Sequence, residues 1–407
     1  MSRILTSLDI GSACIKGIVA SERKDGTLSV LSAFNQPSFG IRRGVIVDVE
    51  AATSVLRDTV VDLMRLSKRA MSNVYVNVQS EHSRARLSRG IAAVARADQV
   101  IQSDDVEHVM QASRAVKLPP NYLVLHNILR EYFVDDVGDI TDPVGMVGNR
   151  LEVSTLVLEA FAPNVHQLVK HLERVGVRVG GLIFNPLAAA RAVLSKRQKD
   201  LGVLLIDIGH GTTSFTVYEE SKVLHTKSIP LGSGHITNDL AIGLRISIDA
   251  AEKLKKTYGY ALAREIPRRE TVKLAEVEPG NAGEIPRRFI AEITEVRLAE
   301  ILELVEAELK SIGRAVQLPG GVVVTGGGSK LPGLTDLVKQ ELKLAAQIGF
   351  PNLAGLEVTN PAHQELIDDP GFAVAVGLLQ WGATEDGMPA PSGGFSKLKR
   401  LFQNLMP

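Results

Sequence analysis

The stretch GVLLIDIGHGTTSFTVYEE, at residues 202–220, places an apolar run directly before an Asp-Ile-Gly turn and a second apolar run after it. Residues 3–22, RILTSLDIGSACIKGIVASE, repeat this order of strand, Asp-Ile-Gly turn and strand. A further strand-like run follows each copy. Self-similarity at such wide spacing indicates an internal duplication. The sequence therefore predicts two related α/β units, each built around a β-hairpin.

Composition excludes several classes of protein. The chain has 46 Lys and Arg residues against 46 Asp and Glu residues, so it carries no global basic field for nucleic acid. Its one cysteine, Cys14, excludes a disulfide framework and is typical of a reducing compartment. No apolar run approaches the roughly 18 residues needed to span a bilayer. Asp9 and Lys16 interrupt the N-terminal segment, which is a poor signal peptide. We expect a multidomain cytoplasmic α/β protein.

Three glycine turns carry the candidate chemistry: DIGSACIKG (9–17), DIGHGTTSF (207–215) and TGGGSKLPGL (325–334). Glycines let backbone N–H groups point into one concavity, which suits phosphate oxygens. Asp9 and Asp207 each end a strand and can hold a magnesium ion, through water. Two facing hairpins would hold a triphosphate, and the third turn leaves room for a flat base. Taken singly, each Asp-Ile-Gly turn is also typical of a simple hairpin, and the third turn is also typical of a crowded strand-to-helix connection.

These motifs, in this order, resemble the actin-like ATPase superfamily. The first two turns are similar to its phosphate loops, and VVVTGGGSKLPGL (322–334) is similar to its adenosine motif. FNPLAAARAVL (184–194) and GFAVAVGLLQWG (371–382) resemble its two connecting helices, whose Ala and Gly residues permit close crossing. The resemblance implies an α/β, actin-like two-domain fold made of duplicated RNase H-like units, which binds ATP and Mg²⁺.

Within that superfamily the whole chain resembles the FtsA family of bacterial cell-division proteins, through segments such as DPVGMVGNRLEV (142–153) and LGSGHITNDLAIGL (231–244). The resemblance implies subdomain 1A at 1–83 and 163–194, an inserted subdomain 1C at 84–162, subdomain 2A at 195–244 and 313–364, subdomain 2B at 245–312, a return helix at 365–382, a flexible linker at 383–394 and a C-terminal membrane-targeting amphipathic helix at 395–407.

The resemblance also implies a set of nucleotide-binding residues. Those of the first phosphate loop are Asp9, Gly11, Ser12, Ala13 and Lys16. Those of the second loop and the segment after it are Asp207, Gly209, His210, Gly211, Thr212, Thr213, Gly232 and Gly234. Glu252, Lys255 and Lys256 lie one helical turn apart and would flank the ribose and base, or form a solvated charge pair. The adenosine motif contributes Gly326, Gly327, Gly328 and Ser329.

Two positions depart from the relatives' pattern. His210 replaces the middle glycine of the second loop, where it either crowds the phosphates or faces solvent. Chaperones of this fold carry Glu in the first connecting helix to position the attacking water. The matching position here is Asn185, which cannot act as a base. We therefore predict nucleotide binding with at most weak hydrolysis, and name no catalytic base.

Two basic stretches each have two interpretations. The first stretch lies at the start of the inserted block and contains Arg84, Arg86, Arg89 and Arg96. It is either a solvated strand face or a docking site for downstream division proteins. The second stretch is helical, at residues 287–309, and contains Arg287, Arg288 and Arg297. These arginines are either ordinary surface charges or, as the resemblance implies, a binding site for the acidic C-terminal tail of the tubulin-like FtsZ.

The chain ends in FSKLKRLFQNLMP, residues 395–407. At about 100° per residue, one helical arc collects Phe395, Leu398, Leu401, Phe402, Leu405 and Met406. The polar side and its border carry Lys397, Lys399 and Arg400. This pattern predicts an interfacial helix on an anionic membrane, too short to span it. Alternatively, the helix docks back on its own domain.

We therefore interpret the chain as an ATP-binding, actin-like protein of the division site. It would polymerise on the cytoplasmic side of the cell membrane as a peripheral protein and tether FtsZ filaments there. A type IV pilus assembly protein similar to PilM and a metabolic kinase of the same fold are the alternatives.

Overall fold

A computed structural model of the protein describes residues 3–385, in chain order as follows. The first part contains β1 (Arg3–Ile10), β2 (Cys14–Glu22), β3 (Leu28–Pro37), β4 (Ile41–Arg42), β5 (Val45–Ile46), α1 (Val49–Leu66) and β6 (Val74–Val78). Then come β7 (Arg84–Ala93), α2 (Ser103–Arg114), β8 (Tyr122–Val134), β9 (Val137–Ile140), β10 (Arg150–Phe161), α3 (Ala162–Arg174), β11 (Val179–Phe184) and α4 (Asn185–Val193).

The second part begins with α5 (Lys196–Leu201), β12 (Val203–Ile208), β13 (Thr213–Glu219), β14 (Lys222–Ile229), α6 (Ser233–Leu244), α7 (Ile248–Tyr258), β15 (Thr271–Lys273), β16 (Glu284–Pro286) and α8 (Arg287–Ser311). It ends with β17 (Val322–Thr325), α9 (Leu334–Leu342), β18 (Ala346–Ile348), β19 (Leu356–Glu357), α10 (Pro361–Ile367) and α11 (Ala373–Glu385). The predicted helix at 395–407 lies outside the described residues.

Two sheets repeat one topology. The first has the order β11-β6-β1-β2-β3-β19, and the second has the order β14-β13-β12-β17-β18. In each, the leading strand pairs antiparallel with the next strand, which pairs antiparallel with a third. On its other side the leading strand pairs in parallel with a later strand. The predicted duplication and the actin-like two-domain fold are confirmed.

The strands at the centre of each sheet are buried because both faces are covered. β12 is buried at every position, and so is β6. Such continuous apolar runs are typical of parallel strands covered by helices on both faces. Each Asp-Ile-Gly turn therefore follows directly on a strand whose position in the sheet is fixed by its buried neighbours.

Helices α4 and α11 connect the two units. They cross so closely that a Cβ atom on Gly377 would lie 1.8 Å from the carbonyl oxygen of Ala188. The crossing therefore requires a glycine at position 377, as the small residues of the two segments predicted. α11 continues to Glu385, so the first three residues of the predicted linker are helical. The short strands β15 and β16, which pair within the polar stretch before α8, were not predicted.

The inserted block forms its own sheet, in the order β7-β10-β8-β9, and α2 covers one face. A Cβ atom on Gly90 of β7 would lie 2.1 Å from the carbonyl oxygen of Val109, so α2 lies directly on the strand. The backbone N–H of Phe184 donates to Nε2 of His126 at 3.1 Å, which attaches β8 to the first unit. The predicted insertion therefore forms a separate sheet that is covered by its own helix.

The inserted sheet also contacts the second unit. Nζ of Lys222, at the turn between β13 and β14, lies 2.8 Å from Oδ1 of Asp139 and 3.8 Å from Oε2 of Glu131. This turn is at the end of the second sheet opposite to the Asp-Ile-Gly loop. Within residues 3–385, no helix is both long and apolar enough to cross a membrane.

Candidate functional site

A cleft of about 770 Å³ opens between the two units, at the ends of β1 and β12. Its volume lies within the usual range for small-molecule and cofactor sites. Most of the predicted nucleotide residues line it: Asp9, Gly11, Ser12, Ala13, Lys16, Asp207, Gly209, His210, Gly211, Thr212, Glu252, Lys255, Lys256, Gly326, Gly327 and Gly328. Residues up to about 320 positions apart in sequence therefore share one cavity.

The remaining predicted residues stand behind the cleft wall. Thr213 is fully buried, and the Ser329 hydroxyl donates to the Gly326 carbonyl at 2.7 Å. A Cβ atom on Gly232 would lie 2.6 Å from the Gly209 carbonyl oxygen. Gly234 lies against the His210 ring, since a Cβ atom there would be 2.5 Å from Nε2. These four residues support the loops and do not line the cavity.

The first loop fixes the Asp9 carboxylate in place. Nδ2 of Asn77 donates to Oδ1 of Asp9 at 2.9 Å, and the Ile10 N–H donates to Oδ1 of Asn77 at 2.7 Å. The Gly11 N–H donates to the Cys14 carbonyl at 3.0 Å and closes the turn. The carboxylate is therefore held at the end of its strand before any ligand binds.

Lys16 connects this loop to the start of α11. Its Nζ lies 3.7 Å from Oδ2 of Asp9 and donates to the Gly371 carbonyl at 2.5 Å. The same atom is 5.8 Å from the centre of the Phe372 ring, within the range of a cation–π contact. Lys16 therefore supplies a positive charge beside the first Asp-Ile-Gly loop and contacts the residues that lead into α11.

The second loop meets the first directly. The Gly209 N–H donates to the Thr212 carbonyl at 2.9 Å, and the amide of Gln79 donates to Oγ1 of Thr212 across the cleft. A Cβ atom on Gly211 would lie 2.8 Å from Oγ of Ser12, so the two loops touch. A shared anion would contact both units.

The N-terminus of α6 supports the second loop, since the Ser233 N–H donates to the Gly209 carbonyl at 2.9 Å and the Gly234 N–H donates to the His210 carbonyl at 2.8 Å. The His210 residue as a whole is exposed, as the solvent-facing alternative predicted, but its ring packs against Gly234 at the cleft wall and is partly buried there. Burial of the ring, followed by the charge of Lys255, lowers the His210 pKa.

Two carboxylates face each other at the base of the cleft. Asp9 and Asp207 are each only 6% exposed. Burial raises the pKa of Asp9, and burial together with the Asp9 charge raises that of Asp207 to about 7. A divalent cation would relieve both the burial cost and the repulsion. Residues 3–385 contain no cluster of three or more His, Cys, Asp or Glu side chains suited to a metal. A magnesium ion here would therefore draw further oxygens from water or phosphate.

On the other side of the cleft, α7 presents a charged network. Nζ of Lys255, which is 6% exposed, donates to Oε2 of Glu252 at 2.6 Å, to Oγ1 of Thr237 at 2.9 Å and to the Ser233 carbonyl at 3.1 Å. Burial lowers the Lys255 pKa. Burial is also the largest influence on Glu252 and by itself raises its pKa, but the hydrogen bond and charge of Lys255, together with hydrogen bonds from Thr237 and Lys256, outweigh it and lower the Glu252 pKa. Lys256 is exposed at the cleft, and its Nζ lies 3.2 Å from Oε1 of Glu252.

The three consecutive glycines have three different environments. Gly326 has φ +85°, and a Cβ atom on it would lie 2.2 Å from Oδ1 of Asp207. A Cβ atom on Gly328 would lie 2.4 Å from the Ile208 side chain. A Cβ atom on Gly327 would meet nothing within 4 Å. Gly326 and Gly328 are therefore required by packing, whereas Gly327 opens onto the cleft.

Sequence reasoning missed some of the cleft residues. Gln79 lies just beyond β6, the strand next to β1, and strand adjacency alone would have placed it there. Asn185, which the sequence did single out, also lines the cleft. It is 4% exposed, and its Oδ1 has no hydrogen-bond partner within the described part of the chain. A buried acceptor of this kind indicates a missing donor, such as water or a ligand.

The three arginines proposed for partner binding are all in ion pairs. Arg297 makes a bidentate pair with Asp239, at 2.7 and 3.0 Å, and also contacts Glu300. Arg287 lies 2.7 Å from Glu270, and Arg288 lies 3.3 Å from Glu292 one turn along α8. Beside them runs an apolar stripe, in which Phe289 and Val296 on α8 and Ile242 on α6 are exposed, whereas Ile293 on α8 is partly buried against the core.

Sequence comparisons show what the chain is similar to. Profiles of the cell division protein FtsA and of the SHS2 domain inserted in FtsA match residues 204–377 and 80–158. FtsA of Pseudomonas aeruginosa is 32% identical over 397 residues, covering 97% of this chain and 93% of that protein. The chain belongs to the FtsA family of bacterial cell division proteins. FtsA of Bacillus subtilis is likewise 32% identical, over 99% of this chain and 89% of that protein.

Solved structures share the fold of this FtsA-family chain. The PilM-PilN type IV pilus biogenesis complex gives a TM-score of 0.62 at 20% identity, covering 93% of this chain and 98% of that chain. MreB5 of Spiroplasma citri bound to AMPPNP gives 0.54 at 15% identity, covering 99% and 98%. At such identities the likeness concerns the fold alone. The sequence relatives favour the cell-division interpretation over pilus assembly and over a metabolic kinase.

Proposed function

We propose that this FtsA-family protein binds ATP and Mg²⁺ in the cleft between its two units. The convergence of two buried carboxylates and three glycine turns on one cavity carries the proposal. Asp9 and Asp207 would hold the metal through water, and the loop N–H groups with Lys16 would hold the phosphates. Gly327 would lie under the base and Lys256 beside it. When bound, the ion supplies positive charge to the phosphate oxygens.

Turnover of the nucleotide would be slow. The unpartnered Oδ1 of Asn185 can accept a hydrogen bond from water and so orient it, but an amide cannot remove its proton. We expect turnover below about 1 s⁻¹, the low end for ordinary enzymes. A faster rate would favour the kinase alternative.

The nucleotide would act chiefly as a structural ligand. Because Ser12 and Gly211 belong to different units and touch at the phosphate end, a triphosphate there would hold the two units at one angle about α4 and α11. A fixed angle would allow one copy to contact the next head to tail. A contact between different faces of identical copies forms open filaments.

The membrane contact would come from residues 395–407. Their apolar arc and the charges Lys397, Lys399 and Arg400 suit an anionic cytoplasmic leaflet, so that the protein would be peripheral to the membrane at the division site. One such segment binds weakly, and a filament would array many of them.

The stripe on α8 and α6 is our proposed site for the FtsZ tail. Val296 and Ile242 are 70% and 78% exposed, which suits the apolar side of a docked peptide. Arg288 and Arg297 flank the stripe. An acidic tail would share Arg297 with Asp239 and Glu300, so its charge contribution would be modest.

The basic run of the inserted sheet has internal partners. Arg84 stacks on Tyr122 and Arg89 on Phe133, while Arg86 and Arg96 lie within 4 Å of Glu159 and Asp105, respectively. These contacts favour the structural interpretation of the run. Docking of downstream division proteins on this sheet remains a proposal of ours that rests on the family alone.

Co-sedimentation with FtsZ and anionic vesicles, with and without ATP, tests the whole proposal. We expect FtsZ to sediment with vesicles only when this protein is present, and more with ATP than without it. FtsZ remaining in the supernatant under all conditions would contradict the tethering function.

A further inference from the structure

A second pocket, of about 580 Å³, lies next to the nucleotide cleft. Its apolar lining, which we call the floor, includes Leu334, Ile348 and Phe350. Three carboxylates, which we call the rim, line it as well, together with one cation, Lys330. Those carboxylates are Glu365, Asp368 and Asp369. We call this site the acidic pocket.

The acidic pocket presents uncompensated charge beside exposed apolar surface. Phe350 is 55% exposed. Asp369 accepts from the Gly371 N–H and pairs with Lys330. Glu365 and Asp368 are exposed, and within residues 3–385 neither is part of an ion pair. An apolar floor under a negative rim fits a basic amphipathic segment.

We propose that residues 395–407 of this same chain dock reversibly in the acidic pocket. The segment carries Lys397, Lys399 and Arg400 and no acidic residue, which complements the rim. Its leucine and phenylalanine side chains match the apolar floor. This inference rests on the proposed membrane function, because it assigns a second location to the proposed membrane segment.

The chain is long enough for this return. α11 begins directly after Pro370 and Phe372, and Pro370 lines the acidic pocket. The helix runs from Ala373 to Glu385, about 18 Å at 1.5 Å per residue. Residues 386–394, when extended, span up to about 30 Å. Phe395 can therefore come back to the pocket.

Docking would control when the protein binds lipid. The same apolar side chains cannot occupy the pocket and a bilayer, so the docked fraction lowers the apparent affinity for membrane. The acidic pocket and the nucleotide cleft share six lining residues, two of them rim carboxylates: Lys330, Leu331, Pro332, Glu365, Asp369 and Pro370. A nucleotide on one side of this shared wall would therefore affect the tail on the other.

Disulfide trapping in the full-length chain tests the location. Cys14 is the only cysteine, so Cys14→Ser provides a clean background. Thr335→Cys, in the pocket wall, is paired with Ser396→Cys, which keeps every charge of the tail. The control pairs Ser396→Cys with Asp104→Cys, an exposed position on α2 of the inserted sheet.

We expect the Thr335–Ser396 pair to cross-link within one chain much faster than the control pair. Vesicles of equal phosphatidylglycerol and phosphatidylethanolamine should slow that cross-link, because the tail moves to lipid. Cross-linking no faster than in the control would overturn the docking proposal.

Charge reversal tests the consequence. Asp368→Lys should raise the apparent affinity of the full-length chain for these vesicles several-fold, whereas Asp104→Lys should not. Equal vesicle binding by the two variants would also overturn the proposal. If neither the wild-type chain nor any variant binds vesicles, the proposed membrane function is wrong. In that case the disulfide cross-linking experiment alone tests whether residues 395–407 dock in the acidic pocket.

Discussion

Gly377 and Ala188 set the distance between the two connecting helices, because any side chain at 377 would start 1.8 Å from the Ala188 carbonyl oxygen. Gly377→Ala should therefore force α4 and α11 apart and reduce the free energy of unfolding by about 1–3 kcal/mol or more. Thermal unfolding measures this. Gly327→Ala, where a Cβ atom meets nothing, is the control; equal melting temperatures for the two variants would refute the close crossing.

Gly327→Val should abolish ATP binding without loss of stability. The new side chain would occupy open cleft space, where we expect the adenosine to lie. Gly326→Ala and Gly328→Ala, in contrast, should lose both stability and binding, because each added Cβ atom would meet Asp207 or Ile208. Calorimetric titration with ATP and Mg²⁺ separates these outcomes. Wild-type affinity in a folded Gly327→Val chain would show that the nucleotide binds elsewhere.

Asp207→Asn should stabilise the nucleotide-free protein while weakening its binding of ATP with Mg²⁺. The native pKa of Asp207 is raised to about 7, whereas in the unfolded chain it is near 3.8. Between these values the native state holds more protons, so stability falls as pH rises through that window. We expect the variant to gain several degrees in melting temperature over wild type at pH 8 and little at pH 4. The opposite trend would contradict the buried carboxylate pair.

Removal of residues 395–407 should release the protein from anionic vesicles and leave ATP binding unchanged. Phe402→Glu should do the same, because it places a charge in the apolar arc. Gln403→Glu adds the same charge on the polar side and should retain most of the binding. Vesicle sedimentation measures all three, and a truncated chain that still sediments would exclude this segment as the anchor.

Val296→Glu and Arg297→Glu should each weaken binding of an FtsZ tail peptide. Val296 is 70% exposed, so its replacement disturbs little else. Arg297→Glu also places three carboxylates together, beside Asp239 and Glu300, so its melting temperature must be checked. The effects should be several-fold at low salt and smaller at high salt. Arg114→Glu on α2 is the matched charge control; if all variants bind equally, the stripe is not the site.

The sequence alone predicted the duplication, the inserted block and most of the cleft, because an apolar strand followed by Asp-Ile-Gly has few alternatives. It did not separate Gly326, Gly327 and Gly328, since their difference depends on Asp207 and Ile208, more than a hundred residues away. It also did not predict that Arg297 would be paired, because Asp239 lies on another helix. The local sequence pattern indicates which helices and strands form, whereas long-range packing decides which side chains remain available to bind a ligand or a partner.

The contacts of Lys222 give the inserted sheet a mechanical role. That sheet is joined to the first unit through His126 and Phe184, and to the second through Lys222 with Asp139 and Glu131. The second pair of contacts lies at the far end from the phosphate loops. Rotation of the units about α4 and α11 must therefore strain or break it. The inserted sheet is therefore a second attachment between the two units, in addition to α4 and α11, at the end of the second sheet opposite to the Asp-Ile-Gly loop.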